Sequence, residues 1–268
     1  MTFFRWLTAL PLVITASAAL ADLPPGAIDI GCNRTLIDER PIASDVSKNG
    51  TGIAKLYDGD WWAKSPYTTR YVRTEAGTLA IDLGGSVAST SRKSQPGSLA
   101  LLPGDKNFYI EFEARISDND RDHWPALWLM PIEHNAKQSD RHPSDPEGFE
   151  RFLEIDVDEG GFAEATHGVA ISWSGIWPKY QRQISNDSDR NFSLDRTKNH
   201  TFGVGYNASN RTIQWWLDGK KQQFSNSRFI PTVAAKHNYY LIMSAQTHGL
   251  EKPYTLYISR ILACNKQG

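Results

Sequence analysis

Between residues 152 and 158 the chain alternates without a break. Leu153, Ile155 and Val157 fall on one parity, and Phe152, Glu154, Asp156 and Asp158 on the other. Period two is that of a β-strand, whose successive side chains point to opposite faces, so the segment has one apolar and one acidic face. It needs a sheet with a dry side and a wet one. Several carboxylates stacked on one face repel each other, a cost that protons, a metal ion or a polar substrate must offset. Hydrolysis of a glycosidic bond uses a carboxylate pair of this kind as acid and base.

The same period recurs along the chain. Runs at 79–83, 107–116, 124–130, 168–173, 201–206, 212–217, 239–244 and 254–262 read as strands, punctuated by turns such as Gly84-Gly85 and Asp218-Gly219. Few windows repeat apolar residues at three and four, so helix is nearly absent. Many short strands with turns between them predict an all-β, antiparallel β-sandwich or jelly roll, one domain over 22–268 without repeats. In the strand at 107–116, Glu111, Glu113 and Arg115 share one parity. Their polar face is expected beside the acidic face of 152–158. A long polar stretch follows at 131–148, the kind of loop that is functional or disordered in a compact domain. Its histidines, His134 and His142, are expected as solvated loop residues rather than metal ligands.

The N-terminus carries Arg5, an apolar run broken by Pro11, and Ala19-Leu-Ala21 before Asp22. A charged start, a short apolar core and a small-x-small site predict a secretory signal over 1–21, too short and interrupted for a spanning helix. An extracellular or cell-wall location is expected, or the periplasm of a bacterium. Sequons at Asn33, Asn199 and Asn207, among others, agree with a secretory route. The two cysteines, Cys32 and Cys264, are far apart in sequence. In an oxidising compartment they are expected to form one disulfide between the first mature segment and the last strand, since metal binding needs ligand pairs at close spacing. A net charge of -1 and the lack of a basic run argue against a nucleic-acid partner. Nine tryptophans suit a core, and they suit a sugar-binding cleft equally well. Trp61, Trp62 and Trp177 fall in loop-like contexts, where stacking on a sugar explains an exposed ring better than packing does.

Four segments, in order, resemble the family-sixteen glycoside hydrolases, the laminarinases, lichenases, agarases and carrageenases. EIDVDE at 154–159 is similar to that family's Glu-x-Asp-x-x-Glu signature, and WPALWLMP at 124–131 to the Trp-Pro-Ala-x-Trp-Leu strand of its laminarinase-like members. FEARI at 112–116 resembles the Glu-Ala-Arg strand, and His200-Thr-Phe with Trp216-Leu-Asp218-Gly219 the later strand pair. The likeness implies a curved jelly roll with a concave cleft. It implies Glu154 as nucleophile, Glu159 as general acid/base, and Asp156 between them, raising the pKa of whichever partner must hold a proton. Trp124, Trp128, Phe152, Glu113, His167, Trp173 and Trp177 become candidate substrate contacts. His167 resembles the first half of a His-Gly-x-x-His strand, whose second histidine is missing here. No cofactor or catalytic metal is implied. A structural calcium, which relatives hold with an Asp of the last strand, is not favoured, because Ser259 takes that place.

The expected function is a secreted, monomeric, retaining endo-glycosidase acting on a polysaccharide, with β-1,3- or mixed β-1,3/1,4-glucan first. The alternatives are a transglycosylase with the same intermediate and a glucan-binding lectin on the same fold. A retaining enzyme holds its carboxyls about 5–5.5 Å apart, which no flat strand achieves between positions 154 and 159. In an unbroken strand, moreover, Glu159 would point to the apolar side with Val157. The family it resembles has both a regular layout, in which Asp158 would share the cleft face and take the acid/base role, and a bulged one whose signature ends in Glu as here. We expect the bulge, near Val157 or Asp158, which shifts parity by one, rejoins Glu159 to Glu154 and Asp156, and leaves Asp158 of lesser consequence to turnover. Gly160 and Gly161 let such a strand end without turning Glu159 inward.

Overall fold

The computed structural model describes residues 23–47, 52–59, 69–91, 95–135, 144–160, 168–186, 194–246, 248–249 and 251–267. The expected signal segment, Trp61, Trp62, His142, Gly161 and His167 lie outside them. Within them run β1 (Arg34–Glu39), β2 (Val46–Ser47), β3 (Leu56–Asp58), β4 (Val72–Glu75), β5 (Thr78–Asp82), β6 (Ser86–Ala88), β7 (Leu102–Pro103), β8 (Phe108–Ile116) and β9 (Trp124–Pro131). They continue as β10 (Phe149–Glu159), β11 (Val169–Ile176), β12 (Lys179–Asn186), β13 (His200–Asn207), β14 (Thr212–Leu217), β15 (Lys220–Ser225), β16 (Asn238–Gln246) and β17 (Thr255–Asn265). Two short helices, α1 (Pro25–Asp29) and α2 (Ile132–Asn135), complete the elements used below.

Among the described residues the strands form two sheets, antiparallel except for the β2–β3 pair. One has the order β15, β14, β13, β8, β17, β5, β4, with β1 on β17; the other has β12, β11, β10, β9, β16, β6, β3, β2, with β7 on β16. The sheets pack face to face because their alternating residues supply one shared core. Ile110, Phe112 and Ala114 of β8 belong to the same buried cluster as Leu127 and Leu129 of β9 and Leu153, Ile155 and Val157 of β10. The result is the expected jelly-roll sandwich.

Glu113 is where the sequence reading fails. β8 pairs with β13 and β17, whereas β10 pairs with β9 and β11. The two strands lie in opposite sheets, so their polar faces point to opposite sides of the molecule. Glu113 Oε1 instead accepts a hydrogen bond from Asn199 Nδ2, and Arg115 lies over the Tyr257 ring. The 131–148 stretch also differs from expectation at His134. That residue is buried, with its ring stacked on Phe152 at 3.7 Å, because α2 folds back over β10 rather than extending into solvent.

The outer face of the β8 sheet is covered by the first described segment. Leu23, Ala27, Ile30 and Cys32 pack with Tyr109, Trp216 and Cys264. Gly26 and Gly203 make room for the Tyr109 side chain, since a Cβ on Gly26 would stand 2.2 Å from its ring and one on Gly203 2.2 Å from its hydroxyl. The Cys32–Cys264 disulfide closes this layer, with α-carbons 5.8 Å apart. Cross-linking so long a loop removes unfolded-state entropy. The Cys32→Ser/Cys264→Ser pair is expected to lose about 2–5 kcal/mol of stability in urea unfolding. Specific activity at 25 °C should be retained, because the bridge lies on the side opposite β10's acids.

Candidate active site

The acids of β10 are arranged by one extra residue. Asp156 sits opposite Trp128 of β9 and Asp158 opposite Leu127, so Val157 is unmatched and the strand bulges there. Val157 and Asp158 both turn into the core, at 3% and 1% exposure. A carboxylate cannot stay ionised in such a place without a partner. Arg196 provides one through two parallel bonds, Nη1 to Oδ2 at 2.6 Å and Nη2 to Oδ1 at 2.8 Å. From the same side the Trp215 indole of β14 donates to the Asp156 carbonyl at 2.8 Å. The bulge is thus pinned from beneath by two side chains.

Beyond it, parity is reversed and Glu159 rejoins Glu154 and Asp156 on the outer face, as expected. Glu159 lies opposite Ala126, a side chain too small to crowd it. Glycine follows because a Cβ at Gly160 would stand 2.3 Å from the Pro125 ring. Glu154, Asp156 and Glu159 line one cleft of about 500 Å³, together with Trp128, Trp173, Arg182, Ser244, Gln246 and His248.

Each glutamate accepts a hydrogen bond from a different tryptophan. Trp173 Nε1 donates to Glu154 Oε2 at 2.5 Å, and Trp124 Nε1 to Glu159 Oε1 at 2.9 Å. Indole is a donor only, so both bonds favour the ionised carboxylate and both hold it in place. Burial works in the other direction. It pushes Glu154 up to about 7, the Glu159 charge adds to the rise, and the Trp173 bond and the Arg182 guanidinium hold it down. Glu159 is raised by burial first, against the Trp124 bond, and then by the charge of Asp158. Asp156 is raised well above its ordinary value by burial and then by both glutamates. The residue is only 4% exposed, and among the described residues its Oδ2 has no hydrogen-bond partner. Asp156 is therefore the group that keeps a proton. The resemblance implied Asp156 as the charge that raises whichever partner holds a proton; the charge that raises Glu159 is instead that of Asp158.

An ionised Glu154 is a burden on the fold. With a folded value of about 7 against 4.5 for the free side chain, the native state binds the extra proton between those values. Stability from this group is therefore greatest below pH 4.5 and declines as pH rises to about 7, by up to about 3 kcal/mol. Urea unfolding at pH 4.5 and pH 8 should show the wild type losing that much more than Glu154→Gln.

The candidate contacts divide. Trp128 is floor and core at once: it is 8% exposed, lines the cleft, lies near Ser244 Oγ (3.4 Å) and packs with Met130, Phe152 and Ile242. Trp124 and Trp173 reach the acids directly. Phe152 has the expected parity but lies buried, with His134 stacked on it and Trp173 and Tyr180 beside it, so it supports the wall and does not face the cleft. Trp177 is at the β11–β12 hairpin tip, 74% exposed, its ring 5.8 Å from Tyr180 and away from the three acids. Glu113 is in the other sheet. At Ser259 the hydroxyl donates to the Glu113 carbonyl at 3.2 Å. Among the described residues no group of three or more His, Cys, Asp or Glu side chains could hold a metal ion.

Two cleft residues had no signal in the sequence. Arg182 stands on the edge strand β12 opposite Trp173, within a polar run that shows no strong alternation. His248 follows β16 in a turn, and its ring stacks on Trp124 with centroids 3.9 Å apart.

No protein-family model and no curated protein sequence matches the chain. Solved structures do. An endo-1,3-β-glucanase from Streptomyces sioyaensis has a TM-score of 0.55 at 13% identity, over 89% of this chain and 98% of that one. A glycoside hydrolase family 16 endo-glucanase from Bacteroides ovatus, in complex with G4G3G-2F-DNP, has 0.52 at 14%, over 85% and 99%. A GlcNAcα1-4Gal-releasing endo-β-galactosidase from Clostridium perfringens has 0.55 at 15%, over 87% and 62%. At these identities the likeness is one of fold, a jelly-roll sandwich.

Proposed function

We propose that this chain is a secreted family-sixteen endo-glycosidase that cleaves β-linked polysaccharide with retention of configuration. The observation that carries the reading is the bulge in β10, which gathers Glu154, Asp156 and Glu159 into one cleft with a separate indole donor on each glutamate. In the first step the Glu154 carboxylate attacks the anomeric carbon while Glu159 gives its proton to the departing glycosidic oxygen. In the second step Glu159, now a base, takes a proton from water, whose oxygen displaces Glu154 and regenerates the carboxylate. Asp156 stays neutral between them, so the site does not hold three negative charges at once.

β-1,3- or mixed-linkage glucan is the first choice of substrate. The WPALWLMP strand resembles laminarinase-like members, and two of the similar structures are glucanases. A glycan with internal β-galactoside bonds is second, because another of the similar structures is an endo-β-galactosidase. Secretion rests on the N-terminal segment and agrees with the disulfide. The test is a panel of laminarin, lichenan, agarose, carrageenan and xyloglucan with product sizing. Internal cleavage to shorter oligosaccharides supports the reading. Products longer than the substrate indicate a transglycosylase, and binding without cleavage of any polymer indicates a lectin.

A further inference from the structure

We propose that His248 is a positioning residue for Glu159 and acts through Trp124. The imidazole lies flat on the indole, 3.9 Å between centroids and 14° between planes, and the indole Nε1–H is bonded to Glu159 Oε1 at 2.9 Å. The two contacts form one chain, in which the imidazole sets the plane of the ring and the ring edge aims the donor. The inference rests on the reading of Glu159 as general acid/base.

Both members of the Trp124–Glu159 bond need such a restraint. Trp124 is the first residue of β9 and Glu159 the last of β10, so each stands where its strand gives out. The indole is partly exposed, and an uncovered ring at a strand end has other rotamers open to it. His248 closes them off from the turn after β16. Its Nε2 is 3.0 Å from Gln246 Oε1, and Gln246 is the register partner of Trp124, so the imidazole is tied to the residue directly beside the ring it covers. The backbone adopts φ 41° at His248, a left-handed conformation that residues other than glycine rarely take. Such strain persists where the surroundings impose it and clusters at functional sites.

The charged and titratable groups around Glu159 are Asp156 and Glu154 on its own strand, Asp158 at the bulge, Arg182 across the cleft and His248 beyond the indole. Burial holds the imidazole below its ordinary pKa, so the stack at neutral pH is between uncharged rings. The indole bond is the contact that opposes protonation of Glu159. Releasing Trp124 therefore both misplaces the acid and lets it hold its proton to higher pH.

The experiment compares His248→Ala and His248→Phe using kcat/KM, which reports the glycosylation step. For the alanine variant we expect about a 10-fold loss on the cleaved polysaccharide and less than about a 2-fold loss on an aryl glycoside, whose leaving group needs little protonation. The alkaline limb of its pH profile should move upward. The phenylalanine variant keeps the stack and should behave as wild type in all three. Equal losses on both substrates, an unmoved alkaline limb, or a phenylalanine variant as impaired as alanine would overturn the proposal. The indole ¹⁵N–¹H resonance of Trp124, assigned with Trp124→Phe, gives a readout free of activity. It should be protected from exchange in wild type and lose protection in His248→Ala. If no polysaccharide is cleaved, the proposed function fails, while this resonance still decides whether His248 holds Trp124.

Discussion

Glu154→Gln is expected to lose turnover on the order of 10⁴-fold or more while binding oligosaccharide within a few fold of wild type. The amide keeps the shape of the side chain and its place beside Trp173, whose Nε1–H then faces an uncharged oxygen. It cannot form the glycosyl ester, and so the first bond-making step has no nucleophile. Glu154→Ala should be equally inactive but rescued by azide. The small anion fits the vacated space, attacks the anomeric carbon, and releases an α-glycosyl azide as Glu159 protonates the leaving oxygen. Isothermal calorimetry and stopped assays on purified protein check both halves. Normal turnover in Glu154→Gln would remove Glu154 from the mechanism.

Glu159→Ala is expected to lose about 10²–10⁴-fold in kcat/KM on natural polysaccharide and far less on an aryl glycoside, because only the natural leaving group needs a proton. Asp158→Ala should fail for a different reason. Its loss leaves Arg196 charged and buried, at a cost of about 3–5 kcal/mol in stability. The replacement should therefore cost stability, while its folded fraction should be milder in activity than Glu159→Ala and show no dependence on the leaving group. Adding Arg196→Met should restore much of the stability. If Asp158→Ala shows the leaving-group signature and Glu159→Ala does not, the acid has been misassigned.

How much of this was legible in the sequence follows from what period two can and cannot report. Alternation in β8, β10 and β13 gave the strands and the sandwich, because one face of each must enter a shared core. It also gave Glu154 and Asp156 a common face. Register is another matter. Whether Glu159 joins them depends on one residue, and the bulge became a choice only through the resemblance and the glycine at 160. Sheet membership was out of reach as well. Glu113 carries the same alternation whichever sheet β8 enters, and its pairing with β13 and β17 sends it to the far side. The site's supports were the least legible. Arg196 and Trp215 act from the core on Asp158 and Asp156, and His248 acts from a turn, so each meets its partner only after the chain has folded. His134 failed in the opposite sense, since a polar stretch conceals a buried ring that caps Phe152.

The most direct test of the account is to trap the glycosyl-enzyme. An activated 2-deoxy-2-fluoro β-oligoglucoside, or its galacto counterpart if a β-galactoside bond proves to be the one cleaved, has a leaving group good enough for the first step and a fluorine that slows the second. After incubation, intact mass and peptide mapping should find one fluoroglycosyl group esterified to Glu154, and none in Glu154→Gln. A label on Asp156 or Glu159, or turnover that releases the α-anomer from a β-linked substrate with no label at any time, would contradict a retaining mechanism centred on Glu154.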